Sequence, residues 1–111
     1  KAFEKDFSAF AFTDEVTQAA MKSIYKNNQY IAEPHGAVGY LGLKKLLENS
    51  ENSIGVFLET AHPIKFLDIV TPVLNIQLKV PKQIESVLNK EKMSIKISSY
   101  EELKTFLNNQ N

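Results

Sequence analysis

Two stretches decide how this chain is read: YIAEPHGAVGY at residues 30–40 and FLETAHPIKF at residues 57–66. Each has the same grammar, an apolar extended step, a polar residue, a proline and then a helical pattern. Glu33 precedes Pro34 and is pushed out of the helical region by the proline ring. Pro34 then opens a helix, because the N–H it lacks is one that a first helical turn leaves free. That helix is expected to run through GAVGYLGLKKLLE to about Asn49. In the second stretch, the apolar run Ile54 to Leu58 has the length of a strand covered on both faces, and Pro63 opens a short helix, PIKFLDIV.

Working outward, FSAFAF (Phe7 to Phe12) alternates large and small side chains as a strand does. Thr13 stands as a helix N-cap with Asp14 and Glu15 in the first turn. Val16, Ala19, Ala20 and Ile24 are expected on one buried face, and Lys26-Asn27-Asn28 ends the helix. NSENS is a polar loop. TPVLNIQLKVP is expected to be irregular or partly extended, PKQIESVLN a short helix, and MSIKI a strand with Ile95 and Ile97 on one side. SYEELKTFL is a last helix capped by Ser98 or Ser99. The order β-α-(β)-α-β-α-α-β-α predicts an α/β layer architecture, with helices packed on a mainly parallel sheet.

The totals narrow the function. The 111 residues suffice for one core, and the 43% hydrophobic and 23% charged fractions are those of a globular chain. Thirteen basic and thirteen acidic residues cancel, and every basic one is lysine. Without a positive surplus or arginine's forked donors, nucleic acid is not an expected partner. No apolar run approaches the roughly 20 residues that span a bilayer, so no membrane partner is expected. With no cysteine, thiolate chemistry is excluded and a cytoplasmic setting is favoured. The opening KAFEKDFSAF has neither an initiator methionine nor a signal layout and reads as the start of an excised piece.

In an α/β sheet the strand-to-helix turns line one edge, where ligands bind and helix N-termini favour anions. Glu33, His35 and Gly36 from one turn, and Glu59, Thr60, Ala61 and His62 from the other, then face one crevice. The alternative is that Glu33 and Thr60 only cap and turn the chain. Gly36, Gly39 and Gly42 share one broad side of the helix, fitting close approach of another backbone or of a ligand. The spacing of the histidines matches no helix-borne metal motif, so no metal is expected. No G-x-S-x-G elbow, P-loop or phosphate-wrapping glycine loop is present.

Taken together, YIAEPHGAVGYLGL and VFLETAHPIKF resemble the C-terminal part of the threonine synthase family, pyridoxal-phosphate enzymes of the tryptophan-synthase-β-like fold. That family reads D-P-H-x-A-x-G-Y at the first place and L-x-T-A-H-P-A-K-F at the second. FTDEVTQAAMKSIYKNNQYI is similar to its S-D-E-x-T helix. Glu33 stands for the commoner Asp and Ile64 for the commoner Ala, while residues 71–111 carry no matching motif. The resemblance implies a lyase that converts O-phospho-L-homoserine and water to L-threonine and phosphate with pyridoxal 5'-phosphate. The lysine that holds the cofactor as a Schiff base lies in an S-F-K-D-type motif that this chain lacks, as it lacks the glycine-rich phosphate loop.

The segment alone is therefore expected to be inactive and not to hold the cofactor stably, its partner being a missing N-terminal part of the same chain. Thr60 matches the hydroxyl that meets the pyridine nitrogen. Glu59, its neighbour, is expected to point to the opposite side. Glu33, His35, Gly36, His62 and Lys65 are candidates for the crevice or the small-molecule substrate. Two other readings are a fragment of a threonine-synthase-like phospho-lyase and a non-catalytic binding module on the same scaffold. An edge exposed by the cut, IGVFL or FSAFAF, would let fragments dimerise.

Overall fold

The computed structural model describes residues 6–50, 52–88 and 90–110. Glu51 of the expected polar loop, Asn89 at the end of PKQIESVLN and the opening KAFEK fall outside them. The chain divides into two compact units, Lys1–Lys79 and Val80–Asn111.

The first unit is built on α1 (Asp14–Asn28), α2 (Pro34–Leu47), a 3-10 turn (Pro63–Phe66) and α3 (Leu67–Leu74). Helix α1 starts where Thr13 Oγ1 accepts the Val16 N–H at 3.4 Å. It stops at Gln29, whose φ of 56° turns the chain left-handed while its N–H still bonds the Tyr25 carbonyl. Its buried face is Thr17, Ala20, Met21 and Ile24. The expected face was rotated: Val16 and Ala19 are exposed, because the i, i+3, i+4, i+7 pattern that reaches the core starts one residue later, at Thr17.

Ala20 and Met21 pack with Ala37 of α2 and with Val70 and Leu74 of α3, and Tyr25, Ile31, Leu41 and Phe66 surround them. Met21 is wholly buried, a burial that stabilises by about 1.5–3 kcal/mol. Helix α3 also corrects an expectation, since Thr71 to Leu74 are helical although TPVL was read as irregular. Pro72 removes a single helical hydrogen bond here, and burial of Val70 and Leu74 on one side offsets the cost. Asn75, with φ 52°, ends the helix.

No strand forms among the described residues. Phe7–Phe12, Ile54–Leu58 and Met93–Ile97, each expected as a strand, carry neither helix nor ladder. A strand is defined by a ladder of hydrogen bonds to a neighbouring strand, and no ladder is assigned to these segments. Residues 54–60 nevertheless keep the period of a strand. Gly55, Phe57 and Glu59 are partly buried, whereas Ile54 (96% exposed), Val56 (81%) and Leu58 (76%) stand in the open. The apolar run is thus covered on one face, not on both.

The inner face of that segment lies along α2. A Cβ built on Gly55 would collide with Leu43 and Leu47, one on Gly39 would touch the Phe57 ring, and one on Gly36 would fall inside the Glu59 carboxylate. The segment therefore runs from the C-terminal end of α2 back to its first turn. Gly42, by contrast, faces Phe10. Of the two readings of these glycines, close packing is the one their neighbours support.

The second unit contains α4 (Lys82–Leu88) and α5 (Tyr100–Asn108). Ser99 is the cap: its Oγ accepts the Glu102 N–H at 3.2 Å, and Glu102 returns a bond to the Ser98 N–H at 2.8 Å. Ile95 remains exposed and Ile97 is half-buried.

Candidate functional site

Glu33 organises the first junction. As N-cap of α2 it is fully buried. Its Oε1 accepts the Gly36 N–H at 2.9 Å, and Oε2 accepts the His35 N–H at 3.0 Å. The His35 ring adds Nδ1 at 2.7 Å from the same Oε2. Glutamate, one methylene longer than aspartate, still reaches both free N–H groups of the first turn, where a negative charge is also favoured by the helix dipole.

Burial pushes the Glu33 carboxyl up. The His35 ring hydrogen bond and then the backbone N–H groups of His35 and Gly36 overcome this, and the net displacement is below the ordinary 4.5. Ionised Glu33 only accepts, so Nδ1 of His35 carries a proton.

The second junction docks on the first at two points. The backbone N–H of Glu33 donates to Glu59 Oε1 at 3.0 Å, and the rings of His35 and Phe66 lie 5.1 Å apart. The other oxygen of Glu59, Oε2, is buried without a hydrogen-bond partner, against the bare Cα of Gly36. Tyr30 senses both acids. Burial, then the negative charges of Glu59 and Glu33, raise its hydroxyl above the ordinary 10.0.

His62 behaves unlike His35. It is the cap of the 3-10 turn, and its Nδ1 accepts the Ile64 N–H at 3.1 Å. That places its proton on Nε2. The two histidines thus use Nδ1 in opposite ways, His35 donating through it and His62 accepting.

Thr60 is exposed, one residue beyond the inward Glu59, on the face that Ile54, Val56 and Leu58 share. His62 and Lys65 are exposed as well. The structure therefore brings Glu33, His35 and Gly36 together with Glu59, and leaves Thr60, His62 and Lys65 exposed. The alternation expected for Glu59 and Thr60 is present. Sequence reasoning did not foresee that the backbone of Glu33 is held by Glu59. The signal available was Gly36 itself, a residue without a side chain three positions after the cap.

Chemically, the outward face offers an apolar row that ends in a hydroxyl able to donate or accept a hydrogen bond. Among the described residues, no group of three or more His, Cys, Asp or Glu side chains is placed to hold a metal ion. No helix among them is long and apolar enough to cross a membrane.

Comparison with known proteins gives a consistent result. The sequence profile of the family described as threonine synthase, C-terminal, matches residues 36–107. Threonine synthase of Escherichia coli K12 is 40% identical over 80 residues, covering 72% of this chain and 18% of the relative. That of Buchnera aphidicola from Acyrthosiphon pisum is 34% identical over 96 residues, 86% of this chain and 22% of the relative. The crystal structure of threonine synthase from E. coli superposes on 98% of this chain with a TM-score of 0.80 and 30% identity, using 26% of its own length. The chain thus spans about a fifth of the length of these curated relatives.

Proposed function

The chain belongs to the threonine synthase family, and on that premise we propose that it forms the C-terminal wall of the cofactor crevice in such an enzyme. The reaction is the conversion of O-phospho-L-homoserine and water to L-threonine and phosphate. The observation that carries this reading is the split at the end of the extended segment, where Glu59 turns inward and Thr60 outward. Pyridoxal phosphate, when bound, supplies an electron sink for the substrate's carbanions.

The residues present fit that group at its ring edge. Thr60 would offer its hydroxyl to the ring nitrogen, which suits an unprotonated pyridine; a carboxylate at that point would hold a proton on it. Ile54, Val56 and Leu58 extend the same face and exclude water from it. Through Nε2, His62 offers a donor N–H and Lys65 a cation, both suited to the substrate's phosphate or carboxylate. Glu33 and His35 shape the rim by fixing the first turn of α2.

The three stretches without a ladder fit the same proposal. In the intact enzyme they take their places in a mainly parallel sheet, and the apolar row is covered by the rest of the protein. This segment carries neither the cofactor lysine nor the phosphate loop, so alone it neither turns over nor holds the cofactor stably. A cytoplasmic enzyme accords with a chain free of cysteine.

Two measurements test the reading. In a full-length enzyme carrying this segment, Thr60→Ala is expected to lower turnover while the unfolding midpoint stays put; unchanged kinetics would remove Thr60 from the site. Mixed with pyridoxal phosphate and reduced with borohydride, the isolated chain is expected to give no stoichiometric adduct at any one lysine. A single fully modified lysine would overturn the assignment.

A further inference from the structure

Glu59 is an expensive residue for the place it occupies. Its carboxylate accepts the backbone N–H of Glu33 at 3.0 Å. Its second oxygen is buried with no partner, which costs it the hydrogen bonds that water would give. The neighbouring helix makes room only because position 36 has no side chain. An apolar side chain would hold the segment to α2 without either penalty. What the carboxylate adds is direction. One oxygen bonded to one backbone N–H fixes the height of the segment along α2, where apolar contacts would let it slide.

Thr60 follows immediately and points the other way. We propose that Glu59 is a positioning residue for Thr60: the bond from Glu33 N–H to Glu59 Oε1 sets where the Thr60 hydroxyl stands on the crevice wall. This rests on the reading above, in which Thr60 meets the pyridine nitrogen. A chain of covalent and hydrogen-bonded links carries the role. The first turn of α2 is tied by Glu33 through His35 and Gly36, Glu33 is tied to Glu59, and Glu59 is one peptide from Thr60. Misplacing a reacting or orienting group by about 1 Å costs on the order of 100-fold in rate, so loosening this tie registers in turnover.

The test uses the full-length enzyme loaded with pyridoxal phosphate, with four variants: Glu59→Ala, Glu59→Gln, Thr60→Ala and the Glu59→Ala/Thr60→Ala double. Glu59→Gln keeps an acceptor oxygen for the Glu33 N–H and is expected to retain turnover within about threefold of the parent. Glu59→Ala is expected to lower kcat by roughly 10- to 100-fold with little change in the KM for substrate. It should also displace the cofactor's absorption band in the same sense as Thr60→Ala. Because Glu59 acts through Thr60, the double variant should be no slower than Thr60→Ala alone.

Amide hydrogen exchange supplies a readout independent of turnover: the Glu33 N–H is expected to exchange faster in Glu59→Ala and not in Glu59→Gln. A Glu59→Ala enzyme with normal kcat and spectrum beside an impaired Thr60→Ala overturns the positioning role alone. So does a double variant in which the two losses simply multiply. A silent Thr60→Ala overturns instead the reading of Thr60 on which the proposal stands.

Discussion

Replacing Gly36 by alanine sets two magnitudes against each other. Gly36 lies in the first turn of α2, and alanine in a helix is favoured over glycine by about 0.8–1 kcal/mol. A Cβ at this position would, however, fall inside the Glu59 carboxylate. Glu59 must then swing away and release the Glu33 N–H, a hydrogen bond to a charged group worth about 1.5–3 kcal/mol. The difference predicts a net loss of about 1–2 kcal/mol, or roughly 5–15 °C in melting temperature for a domain of this size.

Gly39→Ala is the matched control. Its Cβ would meet Phe57 at 3.8 Å, an ordinary contact, so propensity decides and the variant should gain about 0.5–1 kcal/mol. Urea unfolding of the chain, followed by circular dichroism, measures both. A third variant closes the argument. With Glu59→Ala already present, Gly36→Ala should lose its penalty and become neutral or stabilising, giving a coupling of about 1–3 kcal/mol between the two positions. If Gly36→Ala stabilises the parent as much as Gly39→Ala does, the docking of Glu59 on α2 is wrong.

Other expectations follow from the same packing. Glu33 has a folded-state pKa below the ordinary 4.5, so its contribution is complete above that value and is lost as pH falls through the lower folded value. The difference in unfolding free energy between the parent and Glu33→Gln should therefore shrink as pH falls below about 4.5; a difference that does not change with pH would refute this. Glu33→Ala strips α2 of its cap and is expected to cost about 2–4 kcal/mol in urea unfolding. Met21→Ala opens the centre of the three-helix core and should cost about 2–5 kcal/mol. Val56→Lys should leave the stability of this chain within about 0.5 kcal/mol, because the side chain is exposed. In the full-length enzyme the same change should destabilise strongly, and a neutral result there would contradict a covered apolar row.

What was legible in the sequence was local. The prolines at 34 and 63 and the caps at Thr13, Glu33 and Ser99 mark helix starts through backbone chemistry that acts within four residues. The motifs TAHPIKF and EPHGAVGY carried the family, and the alternation of Glu59 and Thr60 follows from the geometry of an extended chain. The sheet was not realised among the described residues, because its ladders need neighbours that a pattern within one segment does not supply. The face of α1 was misplaced by one residue since Thr17 buries its methyl while its hydroxyl bonds the Thr13 carbonyl at 2.9 Å, which a hydrophobicity pattern scores as polar. The helical turn through Pro72 was missed for a different reason. Proline is a poor helix residue by propensity, yet packing of Val70 and Leu74 outweighs the single bond it removes.

The strict division of labour along residues 54–62 has a further consequence for how this protein tolerates change. Substitutions on either face alter one contact each. A single inserted or deleted residue anywhere between Gly55 and Glu59 would exchange the faces of everything on one side of it. Glu59 would be carried to the exposed face or Leu58 wedged against Gly36. Length, more than composition, is what this segment has to keep: an insertion there is expected to undo its docking on α2 at one stroke.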